Sequence, residues 1–186
     1  MCCDTFRKQI SELSQTEIRI ATAKDVDKLI PVLIELRPHR TPDQLREMIV
    51  SQMTDGFQIV YAGDDSNAFA VAGFRTLDML FSGKTLYVDD LVTHPGHRKK
   101  GYAGMLMKWM IQYAKDNGYD HFSLDSGHQR KDAHRLYLNH GLDITAHHFG
   151  KDVKDLRQAA DLCTFLSQTI LLLSLQGLFP KPNPTG

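Results

Sequence analysis

The stretch His94-Pro-Gly-His-Arg-Lys-Lys-Gly-Tyr-Ala-Gly104 combines a run of basic residues with glycines that lead into a helix-like segment. Glycine lets the backbone approach a ligand closely, and the first N–H groups of a helix lack partners inside the helix. The helix dipole favours an anion at the same end. The stretch therefore predicts a phosphate-binding turn at the start of a helix, although a solvated basic turn is the alternative for the stretch taken alone.

Two common phosphate motifs do not describe residues 94–104. A P-loop would end in Gly-Lys followed by Ser or Thr, whereas Gly101 is followed by tyrosine. A dinucleotide-binding motif would need a Gly-x-Gly-x-x-Gly triple with an acidic residue after the next strand, and this combination is not present. Both motifs are therefore excluded.

The segments before this turn change from a strand pattern to a helical one. Residues 17–21 alternate polar and apolar side chains, and apolar positions recur at helical spacing over 25–34. Thr41 carries a capping hydroxyl, with proline at the first turn and Gln44 three residues on, which predicts a second helix to about residue 53. This part therefore predicts a strand followed by two helices.

The remaining pattern predicts a hairpin and then alternating strands and helices. The hairpin turn is a cluster of Gly, Asp, Ser and Asn at 63–67. The predicted strands are 57–62, 68–74, 85–93, 121–125 and 143–149, and the predicted helices are 103–115 and 132–140. This order predicts an α/β (α+β) fold in which a mixed sheet carries helices on both faces.

The composition indicates one globular domain. The chain has 186 residues, 42% of them hydrophobic, and 22 Lys and Arg balance 22 Asp and Glu. This size allows a substantial core, and the neutral balance gives no reason to expect nucleic acid or an anionic membrane as a partner. The cysteines, at positions 2, 3 and 163, have no metal or disulfide spacing, and the first residues show no signal-peptide pattern. We therefore expect a cytoplasmic protein.

Three parts are predicted along the chain: an N-terminal extension at 1–16, the domain at 17–150, and a C-terminal amphipathic helix and tail at 151–186. Apolar residues recur at helical spacing over 152–179, which indicates packing or formation of a homodimer. Polar residues interrupt the most apolar portion, which is shorter than the roughly 20 residues of a membrane-spanning helix. We therefore expect no membrane anchor.

Histidine is concentrated late in the chain, with six of the nine histidines after residue 120. They form no His-Glu-x-x-His element, and His147 and His148 would face opposite sides of the predicted last strand. No metal site is predicted.

Four segments resemble the GNAT family of N-acetyltransferases. Arg98-Lys-Lys-Gly101-Tyr-Ala103 is similar to the pyrophosphate loop of the family, Arg/Gln-x-x-Gly-x-Gly/Ala, while Val88–Pro95, Asp132–Leu142 and Ile18–Asp25 match other landmarks in order and spacing. Together they cover about residues 17–150. The resemblance implies a mostly antiparallel sheet, acetyl-CoA as cosubstrate, and transfer of its acetyl group to a primary amine of a small molecule.

The resemblance also implies which residues bind acetyl-CoA. The stretch at residues 94–104, called the basic loop below, would hold the diphosphate. The backbone N–H of Val92 would polarise the acetyl carbonyl, as an oxyanion donor does. At Arg130 many members carry an asparagine that helps to hold the pantetheine arm, so this contact is left open. The predicted cofactor-binding residues are Leu91, Val92, Arg98, Lys99, Lys100, Gly101, Tyr102, Ala103, Gly104, Arg130 and Ala133.

The resemblance places a base at Asp89 and an acid at Tyr137. A carboxylate would take the proton of the acceptor ammonium directly or through water, and the phenol would protonate the departing thiolate. Asp90 is the alternative base, because successive strand residues face opposite sides and only one should reach a given cleft. Purely structural roles are the alternative for the aspartates and the tyrosine.

No motif identifies the acceptor. Gln129–Tyr137 and Ala146–Phe149 resemble the aminoalkylphosphonate N-acetyltransferase branch of the family. Candidates for a pocket that would bind a phosphonate or carboxylate amine are Arg37, His39, Arg40 and Arg75. Surface charge is the alternative for these four residues.

Two other classes of function can be weighed against the transferase. A CoA-binding sensor or dimeric scaffold with little catalysis would fit the atypical Arg130 and the added tail. A nucleic-acid binder would use the basic residues at 98–100 and 130–131, but a net charge of zero and the lack of interleaved aromatic residues argue against it.

Overall fold

The computed structural model describes residues 16–151 and residue 153. The chain divides into two compact units, Met1–Ile144 and Thr145–Gly186, and the fold below belongs to the first. Its five-stranded sheet consists of β1 Glu17–Ile20, β2 Gln58–Gly63, β3 Ala68–Met79, β4 Gly83–Thr93 and β5 His121–Leu124.

The strands lie in the order β1-β2-β3-β4-β5. Neighbours among β1 to β4 are antiparallel, whereas β5 runs parallel to β4. A parallel neighbour needs a crossover connection, and a helix between β4 and β5 provides it. The predicted mixed, mostly antiparallel sheet is confirmed.

Helices cover both faces of the sheet, as predicted. They are α1 Val26–Leu33, α2 Pro42–Thr54, α3 Tyr102–Asp116 and α4 Lys131–Asn139. Ile59 and Tyr61 of β2 pack with the cluster of α1 and α2, while Val60 between them packs with the cluster of α3. Because successive strand residues face opposite sides, β2 is buried on both faces and separates two apolar layers.

The start of α2 shows how local sequence sets an element. The Gln44 N–H donates to Thr41 Oγ1 at 3.2 Å, and the Thr41 N–H donates to Gln44 Oε1 at 3.0 Å. This reciprocal pair satisfies two N–H groups that would otherwise lack partners. The predicted helix start is confirmed.

The strand predicted at 143–149 is wrong, because the structure forms neither helix nor strand over 143–151. Alternation stabilises a strand only when its apolar side chains are buried, and Ile144 and Phe149 are 75% and 91% exposed. The C-terminal helix predicted from residue 152 lies outside the described residues.

Candidate active site

The site begins where β4 and β5 separate. Their pairing ends at Val88 and Leu124, whereas β4 continues along β3 to Thr93. Two cavities open beside this last part of β4, one of about 260 Å³ and one of about 620 Å³. We call them the inner cavity and the outer groove.

The outer groove brings five predicted cofactor-binding residues together. They come from β4, from the basic loop and from the start of α4, and they are Leu91, Val92, Arg98, Arg130 and Ala133. Arg98 links the end of β4 to the helical turns after α1, because its Nε donates to the Thr93 carbonyl at 3.4 Å and its Nη2 lies 3.8 Å from Glu35. Sequence reasoning missed Glu35, for which no motif gave a signal.

The basic loop has the backbone shape of an anion-binding turn. Lys99 and Gly101 have φ values of 62° and 90°, and α3 begins directly after Gly101. Left-handed residues next to a helix start gather backbone N–H groups towards one side. Ala103 and Gly104 belong to the first turn of α3, whose N–H groups have no partners within the helix. The loop with Lys100 is therefore able to hold a phosphate.

Tyr102 is placed differently from its charged neighbours. Its side chain is 1% exposed and packs against the ring of Phe69, with 5.4 Å between ring centroids. Only its backbone can face a ligand in the loop, and its ring anchors the start of α3 in the core. Tyr102 stays a predicted cofactor-binding residue, and its burial restricts that role to the backbone.

Asp89 and Asp90 lie on a β-bulge. Gly73 pairs with Asp90 and Phe74 pairs with Val88, so Asp89 is the extra residue of β4. Such a residue breaks the alternation of faces. Both carboxylates consequently line the same two cavities, and the prediction that only one could reach a given cleft is wrong.

Each of these carboxylates is paired with an arginine. Arg75 Nε donates to Asp89 Oδ2 at 2.7 Å, and Arg37 Nη2 donates to Asp90 Oδ1. Burial raises the pKa of the Asp90 carboxyl, and the positive charge of Arg37 opposes that rise. A carboxylate with a raised pKa is a stronger base, so Asp90 has a property that a proton acceptor needs.

Tyr137 lies on α4 and lines the inner cavity together with both carboxylates. Burial raises the pKa of its phenol, while the charge of Arg130 and the Ser126 hydroxyl oppose the rise. The phenol therefore remains protonated at neutral pH and can donate a proton. The structure thus brings Asp89, Asp90 and Tyr137 to one cavity.

A third cavity, of about 360 Å³, adjoins the carboxylates on the side of α1 and α2. We call it the acceptor cavity. The four candidates from the sequence for an anion-binding pocket all line it, namely Arg37, His39, Arg40 and Arg75. Arg75 also lies over the ring of Phe57, with 5.3 Å from its guanidinium carbon to the ring centroid.

Tyr87 is a neighbour of the site that sequence reasoning missed. Its hydroxyl donates to Asp125 Oδ2 at 2.6 Å. Burial and the charge of Asp125 raise the pKa of Tyr87 to about 12. The sequence did contain a signal for Tyr87, because a strand residue two positions before Asp89 lies on the same face of the strand as Asp89.

A larger cavity, of about 750 Å³, lies elsewhere and is bordered by Phe69, His94 and His97. Neither the aspartate pair nor Tyr137 lines it. Within residues 16–151 and 153, no three His, Cys, Asp or Glu residues are grouped to hold a metal ion. The helices of this same part are too short or too polar to cross a membrane.

A strand-loop-helix anion site beside paired carboxylates is suited to a transferase whose acyl donor carries phosphate groups. The sequence profile of the Acetyltransferase (GNAT) family matches residues 26–142. Over 125 residues the chain is 31% identical to the uncharacterized N-acetyltransferase YhdJ of Bacillus subtilis, which covers 66% of this chain and 88% of that protein. The chain belongs to the GNAT family of acetyltransferases, and acetyl-CoA is its acetyl donor.

Solved structures agree on the fold. An aminoglycoside N-acetyltransferase in complex with CoA has a TM-score of 0.66 at 13% identity, over 75% of this chain and 95% of that one. A ribosomal-protein-alanine N-acetyltransferase from Brucella melitensis biovar Abortus has a TM-score of 0.63 at 17% identity, over 74% and 98%. These identities are low, so the likeness concerns the fold and not the acceptor.

Proposed function

We propose that the protein transfers the acetyl group of acetyl-CoA to the primary amine of a small anionic molecule. The observation that carries the proposal is the meeting of Asp89, Asp90 and Tyr137 in the inner cavity, between the outer groove and the acceptor cavity. This arrangement supports direct attack of an amine, with a carboxylate as base and a phenol as acid.

The outer groove and the basic loop fit acetyl-CoA. Arg98, Lys99 and Lys100 with the N–H groups at the start of α3 would hold the diphosphate, and Leu91, Val92 and Ala133 would border the pantetheine arm. The cosubstrate supplies an acetyl group activated as a thioester. The Val92 N–H is our proposed donor to the acetyl carbonyl, where negative charge develops during attack.

The proposed base is Asp89, with Asp90 as the alternative. An alkyl ammonium must lose a proton before its nitrogen can attack, and a carboxylate at the mouth of the acceptor cavity is able to accept it. The side chain of aspartate is short, which favours proton transfer through a water molecule. The raised pKa of Asp90 is an argument for that residue, since it makes the carboxylate more basic.

The acceptor is proposed to carry an anionic group as well as an amine. Two of the cations in the acceptor cavity, Arg37 and Arg75, are paired with the aspartates. Arg40 adds positive charge to the same cavity and would bind a phosphonate or carboxylate, to which the His39 ring could donate a hydrogen bond. This supports an acceptor such as an aminoalkylphosphonate, in line with the narrower resemblance at Gln129–Tyr137.

A panel of amines with colorimetric detection of free thiol tests the proposal. We expect the fastest release of CoA with aminoalkylphosphonates or amino carboxylates, and slower release with polyamines and aminoglycosides. Arg40→Gln should raise KM for the anionic acceptor by about tenfold, the effect of losing one charge-assisted hydrogen bond. The control Arg46→Gln removes an exposed arginine of α2 that pairs with Asp27 and Asp43, and should leave KM unchanged.

Two results would contradict this proposal. A preference for polycationic amines would exclude an anionic acceptor, whereas binding of acetyl-CoA without thiol release from any amine would favour the alternative of a CoA-binding sensor or scaffold. Cytoplasmic location and a homodimer stay predictions.

A further inference from the structure

Arg130 lies where the inner cavity meets the outer groove, because it lines both. It is the residue before α4, and Tyr137 follows it by seven residues, about two helical turns. Residues at this spacing lie on one side of a helix, and helical side chains lean towards the N-terminus. The Tyr137 ring therefore leans towards the end of α4 that carries Arg130.

Arg130 differs from the neighbouring arginines in its ion pairing. The other arginines that line these two cavities are each in an ion pair: Arg37 with Asp90, Arg98 with Glu35 and Arg135 with Asp132. Among residues 16–151, Arg130 is not in any such pair. A guanidinium without a carboxylate partner keeps its full field for a neighbouring group or ligand.

The charge of Arg130 acts on Tyr137, which is the candidate acid. Burial weakens the phenol as an acid by raising its pKa, and the Arg130 charge is the largest influence that opposes burial. The same charge also lowers the pKa of Asp90, but there Arg37 has the larger effect. Arg130 is therefore coupled more closely to the acid than to the base.

We propose that Arg130 is a positioning residue for the leaving-group step, in which its charge makes the Tyr137 phenol a better proton donor to the departing thiolate. This rests on the proposed function. In that step the amine nitrogen forms the bond to the acetyl carbon, the C–S bond breaks with its electron pair on sulfur, and the phenolic proton passes to sulfur. A carboxylate takes the ammonium proton before attack and passes it to solvent, the second amine proton leaves to solvent as the amide forms, and Tyr137 regains its proton from solvent.

Several charged groups face the inner cavity beside the Tyr137 hydroxyl, and Arg130 is the one whose charge lowers the phenol pKa. They come from β4, from the end of β5, from the turns after α1 and from the start of α4. The groups are Asp89, Asp90, Asp125, Arg37 and Arg130.

A double-mutant cycle on the full chain tests the coupling. We expect Arg130→Met to lower kcat by about 10-fold to 100-fold, with less than about a threefold change in Kd for CoA, and Arg130→Lys to restore most of the loss. In a Tyr137→Phe background the same change should lower kcat by less than about threefold, because the group on which it acts is gone. Equal losses in both backgrounds, or a higher KM for acetyl-CoA at unchanged kcat, would overturn the proposal.

A titration of phenolate absorbance provides a second readout that needs no acetyl transfer. The transition that disappears in Tyr137→Phe should move to higher pH in Arg130→Met, and should stay in place in the control Arg135→Met, whose arginine pairs with Asp132 on the same helix. An unmoved transition in Arg130→Met would contradict the coupling. If no amine releases thiol, the proposed function fails, and this titration still decides whether Arg130 acts on Tyr137.

Discussion

Asp89 and Asp90 are consecutive residues of β4, yet both carboxylates face the side of the sheet that carries α1 and α2. The β-bulge at Asp89 produces this arrangement, because Asp90 pairs with Gly73 and the alternation of faces resumes only after it. Two carboxylates with separate arginine partners are thus available at one cavity. Variants of Asp89 and Asp90 can therefore show which carboxylate accepts the proton.

We expect Asp89→Asn to lower kcat/KM by roughly 100-fold or more, since general-base catalysis contributes at least about that factor. Asp90→Asn should have a smaller effect on kcat. Initial rates with the best acceptor and saturating acetyl-CoA measure both, and thermal melts show whether each variant is folded. A larger loss of kcat in Asp90→Asn than in Asp89→Asn would reverse the assignment.

The pH profile separates the two aspartates in another way. A base must be unprotonated, so activity is lost as pH falls through its pKa, and a raised pKa moves that loss to higher pH. Because burial raises the pKa of Asp90, a limb above the ordinary carboxyl range of about 4 would belong to Asp90. With Asp89 as base, we expect the acidic limb of kcat/KM to persist in Asp90→Asn and to disappear in Asp89→Asn.

Tyr137→Phe removes the proposed acid without removing the ring. We expect kcat to fall about 100-fold, and the melting temperature to change little because the ring still packs with the α3 cluster. Since burial raises the phenol pKa, wild-type activity should not decline through loss of this proton until the pH exceeds about 10. Full activity of the phenylalanine variant would remove Tyr137 from the mechanism.

Gly101 and Gly118 offer a matched pair at the two ends of α3. Both have positive φ, 90° and 66°, and a Cβ at either position would meet nothing within 4 Å. Substitution by alanine at either position should therefore lower the free energy of unfolding by about 1 kcal/mol, from backbone strain alone. Only Gly101→Ala should also weaken acetyl-CoA binding, by about tenfold, since only Gly101 shapes the basic loop. Calorimetric titration with acetyl-CoA measures the difference. Equal affinities of the two variants would argue against binding of acetyl-CoA by the basic loop.

Gly73 leaves room for Phe57 beside the aspartate pair. A Cβ at residue 73 would overlap with the Phe57 ring, which is 6% exposed and lines the acceptor cavity. We expect Gly73→Ala to lower the free energy of unfolding by about 1–3 kcal/mol and to raise KM for the acceptor. Denaturant unfolding measures the first effect and steady-state kinetics the second. An unchanged KM would show that the side of the acceptor cavity formed by Phe57 does not contact the acceptor.

Local sequence was sufficient for much of the fold. The capping residues of α2, the turn at residues 63–67 and the glycine before α3 act over a few positions, so their effects could be read without knowledge of the sheet. The same holds for the basic loop, whose residues are contiguous. Alternation alone was misleading at 143–149, because burial decides whether an alternating segment becomes a strand, and burial depends on distant residues.

The sequence by itself predicted the anion-binding turn and the order of the main elements, because these depend on neighbouring residues, and its resemblance to the GNAT family implied the candidate acid and bases. Only the tertiary structure decided that Asp89 and Asp90 share a face, since the bulge is a feature of the register of β4 against β3, at Gly73, where a Cβ would overlap with Phe57. It also decided that Arg37 and Arg75, from different elements, pair with these aspartates. Such relationships depend on contacts between segments far apart in the chain, which local periodicity does not encode.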